Sequence, residues 1–276
     1  MNEELRQMLY SRLRRSLFVV FNTLVPKSYQ IELLRVLAQR HEIVMKPPYQ
    51  LMDYSEHEIF VCRGIRANSC KREPETVEWV ENYIKPGQVF FDVGSNIGTY
   101  SLIAAKYHKG TVKVYAFEPA FQNFPILIKN ILRNNCGEIV FPLNVPLDEV
   151  DTLATFNYSS LEEGSALHAF GDPIDYKGEA FQPIFKQLAM STTIDRLVQH
   201  YGLLRPNHIK LDVDGLELKI LKGAKTTISG DYFKSLLVEV SERFDLEELS
   251  SFLRVCGLHF SEKYDHPATS NYIYIR

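Results

Sequence analysis

Val89-Phe-Phe-Asp-Val-Gly-Ser-Asn-Ile-Gly-Thr-Tyr-Ser101 decides the reading of this chain. Five residues, mostly apolar, end at Asp92 and Val93, and a glycine-punctuated turn through Gly94 and Gly98 then runs into a helical segment. A continuous apolar strand feeding a tight turn and a helix is the opening unit of a parallel α/β sheet. Ligands in such sheets bind at the carboxyl ends of the strands. A second apolar strand, 111–117, ends at Glu118, 26 residues after Asp92. A carboxylate there can accept two hydrogen bonds from a ribose diol.

Outward from this unit the alternation continues. Strands are predicted at 139–145, 208–213 and 235–240, with helices at 99–107, 124–134, 216–223 and 245–256. Segments 259–263 and 271–276 close the chain as an antiparallel pair. The predicted fold is α/β, a seven-stranded, mostly parallel sheet with helices on both faces. One stretch interrupts it. Residues 153–197 hold two strand-like pieces around a segment rich in Gly, Asp and Pro, read as an inserted hairpin or loop over the site.

Residues 1–70 read as an N-terminal helical extension with a short strand at 57–65, and 71–276 as the main domain. Leu5, Leu9, Leu13 and Leu17 recur at helical spacing, and a second helix is predicted at 29–40. Residues 1–40 carry seven Lys and Arg against three Asp and Glu, on a chain whose net charge is -3. Such a basic amphipathic piece suits a subunit contact or an anionic membrane surface. The overall charge argues against nucleic acid as a partner. Four cysteines without CxxC spacing read as reduced thiols, and with no secretory signal in view the expectation is a cytoplasmic protein. Oligomeric state is not legible.

Electrostatics selects among nucleotide ligands. A dinucleotide site needs Gly-x-Gly-x-x-Gly so that pyrophosphate rests on bare backbone, but the middle position here is Asn96. Asp92 also places negative charge where pyrophosphate would lie. S-adenosylmethionine carries an ammonium and a sulfonium instead, both favoured by a carboxylate. An NAD-dependent oxidoreductase is therefore the weaker reading, and a silent binding protein that keeps the fold is the other alternative.

The segments 89–101, Tyr115-Ala-Phe-Glu-Pro119, Thr193-Ile-Asp195 and His208-Ile-Lys-Leu-Asp-Val-Asp-Gly-Leu-Glu217, with Leu221-Lys-Gly-Ala224, together resemble the FkbM family of methyltransferases. The resemblance covers about residues 75–240. It implies a class I methyltransferase fold, S-adenosylmethionine as cofactor, and O-methylation of a small-molecule or glycan acceptor, either a sugar or a secondary metabolite. Carried over by position, it implies that Asp92, Gly94, Asn96 and Gly98 surround the methionine part and that Glu118 holds the ribose. Asn144 and Val145 then flank the adenine, and Asp212 faces the methyl group. Ser95, Thr99, Tyr100 and Pro119 complete the expected donor set. The family often has Glu where this chain has Asp214.

A hydroxyl acceptor must lose a proton, so a base is sought near the site. His168, within Gly164-Ser-Ala-Leu-His-Ala-Phe-Gly171, is the first candidate, with Asp212 and Glu239 the others. Lys210 is left out of the catalytic set. No metal is assigned, although Asp212, Asp214 and Glu239 are the carboxylates that could hold Mg²⁺.

Overall fold

A computed structural model describes residues 49–54, 57–62, 66, 68–241 and 245–276. The helices predicted within residues 1–40 lie outside the described residues. A hairpin of β1 (Tyr49–Tyr54) and β2 (His57–Cys62) leads to the short helix α1 (Ser69–Arg72) and to α2 (Pro74–Asn82). Pro74 opens α2 at a position where a missing N–H costs nothing.

The main sheet is built from β3 (Val89–Val93), β4 (Lys113–Phe117), β5 (Val140–Leu143), β9 (His208–Leu211), β10 (Ser235–Ser241), β11 (His259–Asp265) and β12 (Thr269–Ile275). Its spatial order is β11-β12-β10-β9-β3-β4-β5. β12 pairs antiparallel with both its neighbours, and the other pairings are parallel. The order reverses between β3 and β9, and a crevice forms at the carboxyl ends of strands where such a reversal occurs. This is the predicted seven-stranded class I methyltransferase architecture.

Every residue of β3 is buried, which is why the strand reads as an uninterrupted apolar run. Its side chains alternate between two cores. Phe90 joins Leu102, Ile103 and Leu127 from α3 (Thr99–Tyr107) and α4 (Phe124–Arg133). Val89, Phe91 and Val93 join Ile220, Ile228 and Leu249 from α6 (Glu217–Lys222), α7 (Lys225–Ser229) and α8 (Leu246–Val255). Helices therefore cover both faces. Burying a Phe or Leu side chain in either core contributes about 1.5–3 kcal/mol.

Two boundaries differ from expectation. Residues 49–62 were expected in the extension, yet Ile59 and Val61 are fully buried in the first core. The Asn134 side chain fixes β2 there, accepting from the Phe60 N–H at 2.9 Å and donating to its carbonyl at 2.6 Å. Tyr49–Arg276 forms one compact unit. The insertion carries three strands rather than two. β6 (Leu153–Tyr158) lies between β7 (Ala169–Phe170) and β8 (Phe185–Met190), and α5 (Ile194–Gln199) follows. Phe156, Tyr158 and Phe170 of this small sheet pack on Ala120 of the main domain. No helix among the described residues is long and apolar enough to cross a membrane.

Candidate active site

The β3–α3 turn must pass very close to the end of β9. A Cβ on Gly94 would stand 1.8 Å from the Asp212 carbonyl oxygen, and the residue holds a φ of +79°. Only glycine meets both demands. Asn96 also sits at positive φ, +51°, which asparagine tolerates better than most residues. This arrangement presents the Asn96 N–H to Glu118 Oε2 at 2.8 Å, while Ala120 N–H donates to Oε1 at 2.9 Å. Each carboxylate oxygen keeps acceptor capacity beyond these bonds. Burial pushes the Glu118 carboxyl up to about 7, although those two N–H groups work against the shift.

A cleft lies at this switch point, with about 970 Å³ of space between atoms, part of it open to solvent. Of the expected donor residues, Gly94, Ser95, Asn96, Thr99, Tyr100, Glu118, Pro119, Val145 and Asp212 line it. Asp92, Gly98 and Asn144 do not. Asp92 belongs to the face of β3 that packs on α3, is fully buried, and accepts from Ser101 Oγ at 2.6 Å. It acts on the cleft through its field. A Cβ on Gly98 would meet Leu127 Cδ1 at 2.5 Å, so this glycine serves helix packing. The Asn144 amide is spent on the backbone, donating to the carbonyls of Glu118 at 2.8 Å and Pro119 at 3.0 Å.

Lys210 was left out of the expected catalytic set. Residues two apart on a strand share a face, so Lys210 stands with Asp212 and lines the cleft. Its Nζ donates to Asp212 Oδ2 at 2.8 Å and lies 5.1 Å from the centre of the Tyr100 ring. Tyr100 in turn donates to Glu73 Oε2 at 2.8 Å. Burial opposes charge on Lys210, but the carboxylates of Asp212, Asp92 and Glu73 outweigh it and keep the amine protonated. Burial likewise opposes charge on Asp212, and Lys210 reverses it. Glu239 stands behind Asp212 and does not line the cleft. The Asp212 charge, with burial, pushes Glu239 well above the carboxylate range, and Thr269 Oγ1 donates to its Oε1 at 2.7 Å. No group of three metal-type side chains gathers among the described residues.

His168 lines the cleft, half-buried. Its Nδ1 accepts from the Ser159 N–H at 3.3 Å, which leaves the proton on Nε2. The Gln122 amide lies 2.8 Å from Nε2, and Gln122 Oε1 otherwise lacks a partner. The Gln122 amide nitrogen also donates to the Ser160 carbonyl at 3.3 Å and to Ser165 Oγ at 3.2 Å. Burial, then the nearby Arg66 charge, pushes the imidazole down to about 4.

Sequence reasoning missed Arg66 and considered Asp214 only as a carboxylate that could hold Mg²⁺. Asp214 lines the cleft, and its Oδ2 accepts from the Leu167 N–H at 2.7 Å. Burial, then the Asp212 charge, raises it to about 6. Arg66 reaches the cleft from the turn before α1 and donates from Nε to the Gly164 carbonyl at 2.9 Å.

The walls fit a cationic nucleoside. Val145, Pro146, Leu147 and Phe117 make one end apolar, as an adenine requires. At the other end Ser95 Oγ, Asn96 Oδ1 and Thr99 Oγ1 are buried without a partner among the described residues. An orphaned buried polar group costs about 1–3 kcal/mol, which a polar ligand would return.

The FkbM methyltransferase domain matches residues 92–260. The chain is 26% identical to the hexuronic acid methyltransferase AglP of Haloferax volcanii over 200 residues, 72% of this chain and 73% of that protein. It is 28% identical to the 31-O-demethyl-FK506 methyltransferase FkbM of Streptomyces tacrolimicus over 160 residues, 51% of this chain and 61% of that protein. Among solved structures it is distantly similar to TrmK of M. capricolum in complex with S-adenosyl-homocysteine, at 10% identity and a TM-score of 0.44, covering 72% of this chain and 66% of that one. With the matched domain spanning both Asp92 and the β9–α6 turn, the chain belongs to the FkbM family of methyltransferases.

Proposed function

We propose that this enzyme methylates a hydroxyl oxygen of a sugar or secondary metabolite, with S-adenosylmethionine as donor. The observation that carries the reading is Glu118, held by two backbone N–H groups at the mouth of β4, one strand from the glycine turn. The donor, when bound, supplies an electrophilic methyl on a cationic sulfur. Glu118 takes the ribose diol, Val145 and Pro146 the adenine, and Asp212 the ammonium. The named relatives, a hexuronic acid methyltransferase and a 31-O-demethyl-FK506 methyltransferase, support this acceptor class.

The residues divide the remaining work. Asp212 is a poor base because Lys210 stabilises its charge, and Glu239 is protonated at neutral pH. Asp214 is better matched. It lines the cleft and titrates near 6, close to the operating pH that general-base chemistry favours. Asp214 therefore accepts the acceptor proton. His168, with both ring nitrogens engaged, positions the loop 164–171 over the acceptor.

Calorimetry with S-adenosylhomocysteine, followed by an assay of demethylated donor over a panel of hydroxylated acceptors, tests the reading. Absence of binding heat would overturn the donor assignment. Binding without turnover on any acceptor would favour a silent member of the fold.

A further inference from the structure

Arg66 lines the cleft and is not among the residues assigned to the donor above. Its backbone is fixed, because its carbonyl accepts from Ser69 N–H at 3.1 Å and Ser69 Oγ at 2.9 Å. Its Nε is fixed on Gly164 of the inserted loop. The rest of the guanidinium makes no ion pair and no further hydrogen bond among the described residues. Yet its charge is felt across the cleft. It helps hold Glu118, Asp212 and Asp214 down, and it lowers His168. All four lie within its field, and no carboxylate among the described residues forms an ion pair with it.

A half-buried guanidinium without a counter-ion is matched best by a planar anion that accepts two parallel N–H bonds. The donor carboxylate has other partners at hand, the unpartnered hydroxyls of Ser95 and Thr99 and the free N–H groups at the start of α3. Arg66 is tied instead to the Gly164 carbonyl of the inserted loop, which the Asn96 amide also reaches at 3.3 Å. We infer that Arg66 recognises a carboxylate on the methyl acceptor, so that the enzyme selects an acidic sugar or acidic metabolite over its neutral counterpart. The inference rests on the donor assignment above.

The test titrates protein saturated with S-adenosylhomocysteine with D-glucuronate and, separately, D-glucose. Wild-type protein should bind glucuronate at least about tenfold more tightly, as one charge-assisted bidentate contact allows. Arg66→Gln should erase that ratio and leave S-adenosylhomocysteine affinity within about twofold. Arg66→Lys, which keeps the charge and loses the planar fork, should retain a ratio reduced several-fold, and it decides alone if the Gln variant does not fold. Equal binding or no binding of the two sugars to wild type would overturn the inference. So would an unaltered ratio in Arg66→Lys. A loss of S-adenosylhomocysteine affinity of about tenfold in Arg66→Gln would assign the carboxylate to the donor instead. Failure of wild-type protein to bind S-adenosylhomocysteine is a separate result, which removes the donor assignment and this inference with it.

Discussion

The Leu167 N–H donates to Asp214 Oδ2 at 2.7 Å, and both residues hold left-handed backbone angles, φ +63° and +61°. A leucine in that region stores about 1–3 kcal/mol of strain, so the bond offsets a conformation the chain would not otherwise keep. It joins the β9–α6 turn to the inserted loop. Asp214→Ala should cost about 1–2 kcal/mol in urea unfolding and loosen the loop to proteolysis. Asp214→Asn keeps an acceptor oxygen and tolerates the backbone, so its stability should change little. If Asp214 is the base, however, its turnover should fall about 10²–10⁴-fold. Equal turnover in Asp214→Asn and wild type would remove it from the chemistry.

Lys210 is 2% exposed and neutralises Asp212 in a site that also holds Asp92. Lys210→Met leaves those carboxylates unpaired and should destabilise the protein by about 3–5 kcal/mol. The double variant Lys210→Met with Asp212→Leu removes both charges and should recover much of that stability without recovering turnover. Thermal melts of the two variants beside wild type check this. A single variant as stable as wild type would show that the pair is not coupled as described.

Gly94→Ala places a Cβ 1.8 Å from the Asp212 carbonyl oxygen in a backbone region that alanine avoids. The turn must lift off β9. S-adenosylhomocysteine affinity should drop about 100-fold, roughly 2.7 kcal/mol, as read by calorimetry. Gly87, also at positive φ but with nothing within 4 Å of its added Cβ, should give a far smaller effect when changed to Ala.

Glu118, raised to about 7 by burial, binds a diol best as the carboxylate. Below that pH it holds a proton and loses acceptor strength, and above it the charge is complete. Affinity for S-adenosylhomocysteine should therefore rise from pH 6 to 8 and then level, by about the worth of a charge-assisted bond, 1.5–3 kcal/mol at most. Glu118→Gln should be weaker and flat over the same range. A wild-type profile that is flat, or falls with pH, would contradict the assignment.

His168→Phe retains ring packing on Phe156 and Tyr158, whose centroids lie 5.9 and 5.2 Å away, but removes both nitrogens. As a positioning residue it should raise acceptor KM by roughly tenfold with donor affinity and the pH profile of turnover unchanged, since the ring is already neutral above about 4. A base at this position would instead cost about 10²–10⁴ in kcat and alter the profile.

Much of the fold was legible because β3 and most of β10 are buried on both faces and so appear as apolar runs. The carboxyl ends of β3, β4 and β9 then locate Gly94, Glu118 and Asp212. The roles of individual side chains were less legible. Asp92 and Asn144 sit at strand ends like true lining residues, yet one serves Ser101 and the other the 118–119 backbone. Lys210, left out of the catalytic set, was readable as a cleft residue from period two on the strand. Arg66 carried no local signal. It lies before the matched domain, and only tertiary packing of the β2–α1 region brings it to the cleft. The β7 strand is two residues long, too short to leave a periodic trace.

The insertion leaves and rejoins the main chain at one point. Asp148 N–H donates to the Thr192 carbonyl at 3.1 Å, and Thr192 N–H to the Pro146 carbonyl at 3.2 Å. About forty residues thus hang from a closed neck, with ends already held together, so their length is nearly free of loop-closure cost. Such a neck makes the small sheet an interchangeable module. A sheet grafted onto residues 148 and 192 would have to restore the carbonyls that Asn96 and Arg66 now hold at Gly164 and Ser165.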